Sequence, residues 1–91
     1  MINSILCEDV KIPKIGSKIV FEYIIELGSS WKDSKIGVAE RTLTDNSPEG
    51  IIDLCNELRK DADDNHHVYI EGFELMENAK RHNVYQVWLG S

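Results

Sequence analysis

Apolar and polar positions alternate along residues 18–27. Ile19, Phe21, Tyr23, Ile25 and Leu27 fall on one face, and Lys18, Glu22 and Glu26 on the other beside Val20 and Ile24. A two-residue repeat sends successive side chains to opposite sides of an extended chain, so this stretch predicts a strand buried on at least one face. The run from Gly28 to Ser34 has polar loop chemistry, and residues 35–44 then resume with Ile36, Val38, Thr42 and Thr44. The two extended stretches together predict an antiparallel hairpin.

The period then changes to that of a helix. Ile51, Leu54, Cys55 and Leu58 recur at helical spacing with Ile52 widening the stripe, which predicts a helix over 48–62. Ser47-Pro48-Glu49 supplies its start: a hydroxyl to cap free amides, a proline suited to the first turn, and a carboxylate at the positive end of the dipole. Arg59 and Lys60 stand in the last turn, where positive charge belongs, and Asp63-Asp64-Asn65 breaks the pattern.

A short strand is expected over 67–71, and a terminal one over 84–89, with Tyr85, Val87 and Leu89 against Val84, Gln86 and Trp88. Residues 73–82 carry two competing signals. Their acidic-early, basic-late gradient and the Glu77 to Arg81 spacing favour a second short helix. A strand over 67–76 turning through Asn78-Ala79-Lys80 into 83–89 would instead make a hairpin. We take the helix. The expected fold is therefore α+β: a single domain over 1–91, with an antiparallel sheet of about four strands packed against helix 48–62 and a second helix over 73–82.

Length and composition set the frame. A chain of 91 residues supports one hydrophobic core, and 42% apolar content with 2 prolines argues against disorder. There is no internal repeat and no Gly/Ser-rich or Pro-rich linker. The first residues lack a basic, then apolar, leader, and the longest apolar runs are triplets such as Tyr23-Ile24-Ile25, so neither a secretory signal nor a membrane span is expected. Cys7 and Cys55 lie far apart without a CxxC motif, and Cys55 falls in the helix stripe. Free thiols in the reducing cytoplasm are the expectation, although spacing alone permits one disulfide.

Charge adds an asymmetry. Residues 1–44 carry six basic and six acidic residues, whereas residues 45–91 carry four basic and ten acidic ones, so the net charge of −6 belongs to the second half. That half should repel phosphate backbones and attract a basic partner.

Few residues invite a chemical reading. Asp61, Asp63, Asp64, Asn65, His66 and His67 resemble metal ligands, but a calcium loop begun at Asp61 needs glycine where His66 stands and glutamate where Gly72 stands. Adjacent His66 and His67 would face opposite sides of a strand, and His82 could join them only through the 67–76/83–89 hairpin. No phosphate-cradling glycine loop and no nucleophile motif is present. Hence no catalytic residue, metal or cofactor is assigned. The basic residues Lys11, Lys14 and Lys18 are dispersed among acids, so direct nucleic-acid binding is not expected. Of the aromatics, Phe21, Tyr23, Tyr69, Phe73, Tyr85 and Trp88 suit a core. Trp31 lies in a polar loop, where it either anchors a partner or folds back over the sheet edge.

These observations favour a non-catalytic protein-binding module over an enzyme. An acidic surface built from Asp53, Glu57, Asp61, Asp63 and Asp64, with Trp31 as an apolar anchor, would occlude a basic, nucleic-acid-handling protein partner. Small acidic domains of this sort include toxin-neutralising immunity proteins and phage-borne inhibitors, so a phage or mobile-element origin fits. The alternatives are a homodimer formed through a sheet edge and a small enzyme or metal protein without a recognisable motif.

Overall fold

The computed structural model describes residues 2–76 and 83–91. Its elements are β1 (Ile5–Leu6), β2 (Lys18–Glu26), β3 (Lys35–Thr42), α1 (Pro48–Asp61), β4 (Tyr69–Leu75) and β5 (Val84–Gly90), with a single 3₁₀ turn at Trp31–Asp33 between β2 and β3. The architecture is α+β, as the periodicities imply: among the described residues one helix lies on one face of one sheet.

The predicted hairpin forms, with β2 and β3 antiparallel from Lys18↔Thr42 to Ile24↔Ile36. The helix starts as read. The Ser47 hydroxyl accepts from the Gly50 amide at 3.1 Å, and Pro48 occupies the first turn. Ile51, Cys55 and Leu58 are fully buried against Ile19, Phe21, Ala39, Leu43, Ile70 and Val87. Each buried Ile, Leu, Val or Phe among them contributes about 1.5–3 kcal/mol.

Two expectations are corrected. The sheet has five strands in the order β1-β4-β5-β2-β3 and is mixed, because β1 pairs with β4 and β2 with β5 in parallel. Parallel neighbours come from distant stretches of chain, and alternation within a strand names its faces but not its partner. The second helix over 73–82 is also overturned at its start. Phe73 to Leu75 belong to β4, which runs antiparallel to β5, and residues 77–82 lie outside the described residues. A bulge between Ile70 and Gly72 explains the misreading. It places Ile70, Phe73 and Leu75 opposite Leu89, Val87 and Tyr85, so the spacing along β4 begins with a helix-like step of three.

The two faces of the sheet differ. One carries Ile19, Phe21, Ala39, Ile70 and Val87 under α1, and the other leaves Ile5, Ile24, Val38, Tyr69 and Trp88 exposed. The expectation that Tyr69 and Trp88 belong to the core is thus corrected. Trp88 is 48% exposed, and its indole Nε1 donates to Glu74 Oε2 at 2.9 Å. Cys7 and Cys55 are free thiols. Burial pushes the Cys55 thiol up to about 12, only partly offset by the nearby Arg59 charge. No helix among the described residues is long and apolar enough to cross a membrane.

Candidate functional site: a fork in the sheet

The β2–β5 pairing covers only Lys18↔Val84, Ile19↔Tyr85 and Val20↔Gln86. Beyond it β2 continues with β3 to Glu26, and β5 continues with β4 to Gly90, so two antiparallel ribbons diverge from one parallel seam. The opening between them is a cleft of about 630 Å³. Its walls come from both faces of both strands: Phe21 to Ile24 on one side and Gln86 to Leu89 on the other.

The segment after α1 forms the floor. The helix ends in a reverse turn in which the Asp63 amide donates to the Lys60 carbonyl and the Asp64 amide to the Arg59 carbonyl. The turn requires a left-handed residue, and Asp63 adopts φ 53° there, a conformation that glycine occupies without strain. Asp64 then closes the next turn. Its Oδ1 accepts from the amides of His66 (2.7 Å) and His67 (2.9 Å), and its Oδ2 lies 2.6 Å from His67 Nδ1. Burial opposes the Asp64 charge, but the amide and ring of His67 and the amide of His66 outweigh it and hold the carboxyl below its usual range. Ala62, Asp63, Asp64, His66 and His67 all line the cleft.

Trp31 closes the outer end. Its loop is held by its own hydrogen bonds: Ser29 and Ser30 hydroxyls donate to Asp33 Oδ2, the Ser34 hydroxyl donates to the Ser30 carbonyl, and the Gly28 amide donates to Ser34 Oγ. Trp31 stands 59% exposed on this frame and lines the cleft with Tyr23 and Trp88. Tyr23 lies across Gly37 of β3, where any Cβ would collide with the ring, and packs at a tilt to Phe21 with centroids 6.0 Å apart.

The structure thus divides the residues singled out from the sequence. Trp31, Asp63 and Asp64 meet at the cleft, whereas Asp53, Glu57 and Asp61 lie on the exposed side of α1. Two of those three are countered by Arg41 of β3, which makes a bidentate pair with Asp61 (Nη2 to Oδ2, 2.7 Å) and approaches Glu57 at 3.8 Å. The cleft, in contrast, is lined by Glu22, Asp63 and Asp64 and by no lysine or arginine among the described residues. Glu22, Tyr23 and Trp88 were not singled out as site residues. Trp88 carried a signal, since it alternates onto the same face as Gln86, opposite the core positions Val87 and Leu89.

No group of three His, Cys, Asp or Glu side chains is placed to hold a metal ion among the described residues. No protein-family model, curated protein or solved structure matches this chain.

Proposed function

We propose that the protein is a non-catalytic binding module that occludes a basic protein partner, and that the fork is the docking site. The observation that carries this reading is the lining of the cleft. Trp31, Tyr23 and Trp88 offer apolar anchors, and Glu22 and Asp63 supply negative charge that no lysine or arginine in the lining offsets, while Asp64 is engaged by His66 and His67. Aromatic side chains in a desolvated groove contribute much of the affinity of protein interfaces, while surrounding charge governs capture rate and choice of partner. A net charge of −6 extends that attraction beyond the cleft. Occlusion of a nucleic-acid-handling enzyme, as an inhibitor or immunity-type protein, is the role this chemistry fits best.

A photo-crosslinkable residue placed at Trp31, and separately at Asp53, tests the reading in native lysate. One basic protein should crosslink from position 31 far more than from position 53. Its capture should fall steeply with added salt and be lost in the Trp31→Ala/Trp88→Ala variant. Capture indifferent to salt, or crosslinking from position 53 alone, would defeat the proposal.

Self-association is the second reading, favoured by β3, an edge strand of eight residues that no described strand covers, with Val38 exposed beside Ile36. Lys35, Glu40 and Arg41 on the same strand oppose it. Sedimentation over a range of concentration decides: a concentration-independent monomer removes this reading.

A further inference from the structure

The walls of the cleft are strand edges as well as side chains. In an extended chain the amide and carbonyl of one residue point to the same side, and those of the next residue to the other. Two hydrogen bonds fix the phase here. The Lys18 amide donates to the Asn83 carbonyl at 2.7 Å, so Lys18, Val20, Glu22 and Ile24 direct their backbone groups toward β5. The Met76 amide donates to the Val84 carbonyl at 2.9 Å, so Val84, Gln86 and Trp88 face β4, whereas Tyr85, Val87 and Leu89 face β2. The seam ends at Val20↔Gln86. Glu22 and Ile24 on one side, and the Val87 carbonyl with Leu89 on the other, therefore face across the cleft with no described strand between them.

We infer that the fork is a slot for an inserted strand: an extended segment of the partner, about four residues long, that hydrogen-bonds to Glu22 and Ile24 on one edge and to Val87 and Leu89 on the other. The inference rests on the binding reading above and names its mode. The stretch of β5 that has no partner on its β2 side, Val87 to Gly90, covers about 13 Å at the usual rise per residue, which sets the length of the guest. Because β2 and β5 are parallel, one guest strand meets both edges in the same sense.

The side chains dictate the sequence of the guest. Residues pointing toward α1 meet Phe21, Tyr23, Leu89 and Ala62, with Asp63, Asp64, His66 and His67 beside them on the floor, and should be apolar, any polar tip turned to that floor. Those pointing to the opposite face meet Ile24, Trp88 and the Glu22 carboxylate, a setting for lysine or arginine with its alkyl stem on the indole. The guest is thus an alternating apolar and basic segment. Main-chain pairing would supply general affinity, and the alternating pockets selectivity.

A displayed library of random heptapeptides, selected on the full chain and counter-selected on the Trp31→Ala/Trp88→Ala variant, tests this without knowledge of the partner. Enriched peptides should alternate apolar and basic residues. N-methylation of alternate amides should weaken their binding at least tenfold in one of the two phases. The bound peptide should slow hydrogen exchange of the Glu22, Ile24 and Leu89 amides at least tenfold. Enriched peptides that tolerate N-methylation in both phases and leave those amides unprotected would overturn strand insertion while sparing the binding reading. No enrichment over the double variant would overturn both.

Discussion

The closed and the open halves of the same two strands differ in almost every physical respect. Where β2 and β5 are paired, Ile19 is wholly buried and Val20 nearly so, although Val20 faces away from the helix. A few residues further along β2, Ile24 and Ile25 are about half exposed. The apolar character of β2 does not change between its ends, but its neighbours do. The closed half is buried on both faces, whereas the open half keeps Phe21 and Val87 in the core but leaves Ile24, Ile25 and Trp88 exposed beside strand edges that no described strand covers. A strand can therefore serve stability at one end and recognition at the other.

The sharpest way to break this contrast is to truncate both ends of β2. Ile19→Ala should cost about 2–5 kcal/mol in chemical denaturation, whereas Ile24→Ala should cost about 0.5 kcal/mol and act on partner binding instead. Equal losses would mean that the fork is closed in solution.

Arg59 shows how the helix holds the amino-terminal arm. It is fully buried, its Nη1 donates to the Ile2 carbonyl (2.7 Å) and Ser4 Oγ (3.0 Å), and its Nε and Nη2 have no acceptor among the described residues. Asn56 holds the same arm through the Ser4 amide at 2.7 Å. Arg59→Ala should lose about 2–4 kcal/mol through the cavity and the released arm. Arg59→Met, which keeps the packing and removes the buried charge, should stay within about 1 kcal/mol of the native protein. A methionine variant as damaged as the alanine one would show that the charge itself holds the arm.

On the open side, Asp63→Gly should raise stability by about 1 kcal/mol, because glycine relieves the left-handed strain, and should weaken partner capture by removing a carboxylate from the cleft. A gain in stability without loss of binding would remove Asp63 from the site.

The smallest effect concerns acid. The Asp64 carboxyl is held below its unfolded value, so its contribution to stability is complete above about pH 4 and is lost as pH falls through the lower folded value. The stability difference between the native protein and Asp64→Asn should shrink as pH falls below about 4 and vanish in acid. A difference that persists undiminished would assign the turn to contacts other than this carboxylate.

Much of this was legible from residue order. Ser47-Pro48-Glu49 and the stripe through Ile51, Cys55 and Leu58 mark α1 because capping and helical periodicity are local. The β2–β3 hairpin is local too. The parallel seam was not legible, because Lys18 and Val84 are brought together by the whole chain, and the bulge at Ile70/Gly72 hid a strand behind uneven spacing. The site was half visible. Trp31 stood out against a polar loop, but Arg41 lies in a different element from the Glu57 and Asp61 charges it offsets, so the weight of the acids could not be judged from composition.

The loop that carries Trp31 closes upon itself through Ser29, Ser30, Asp33 and Ser34. Its shape is therefore set before any encounter, and little chain entropy remains to be lost on docking. Calorimetry of a complex should accordingly show a modest unfavourable entropy, and association should proceed at a rate governed by diffusion and charge instead of by folding of the loop.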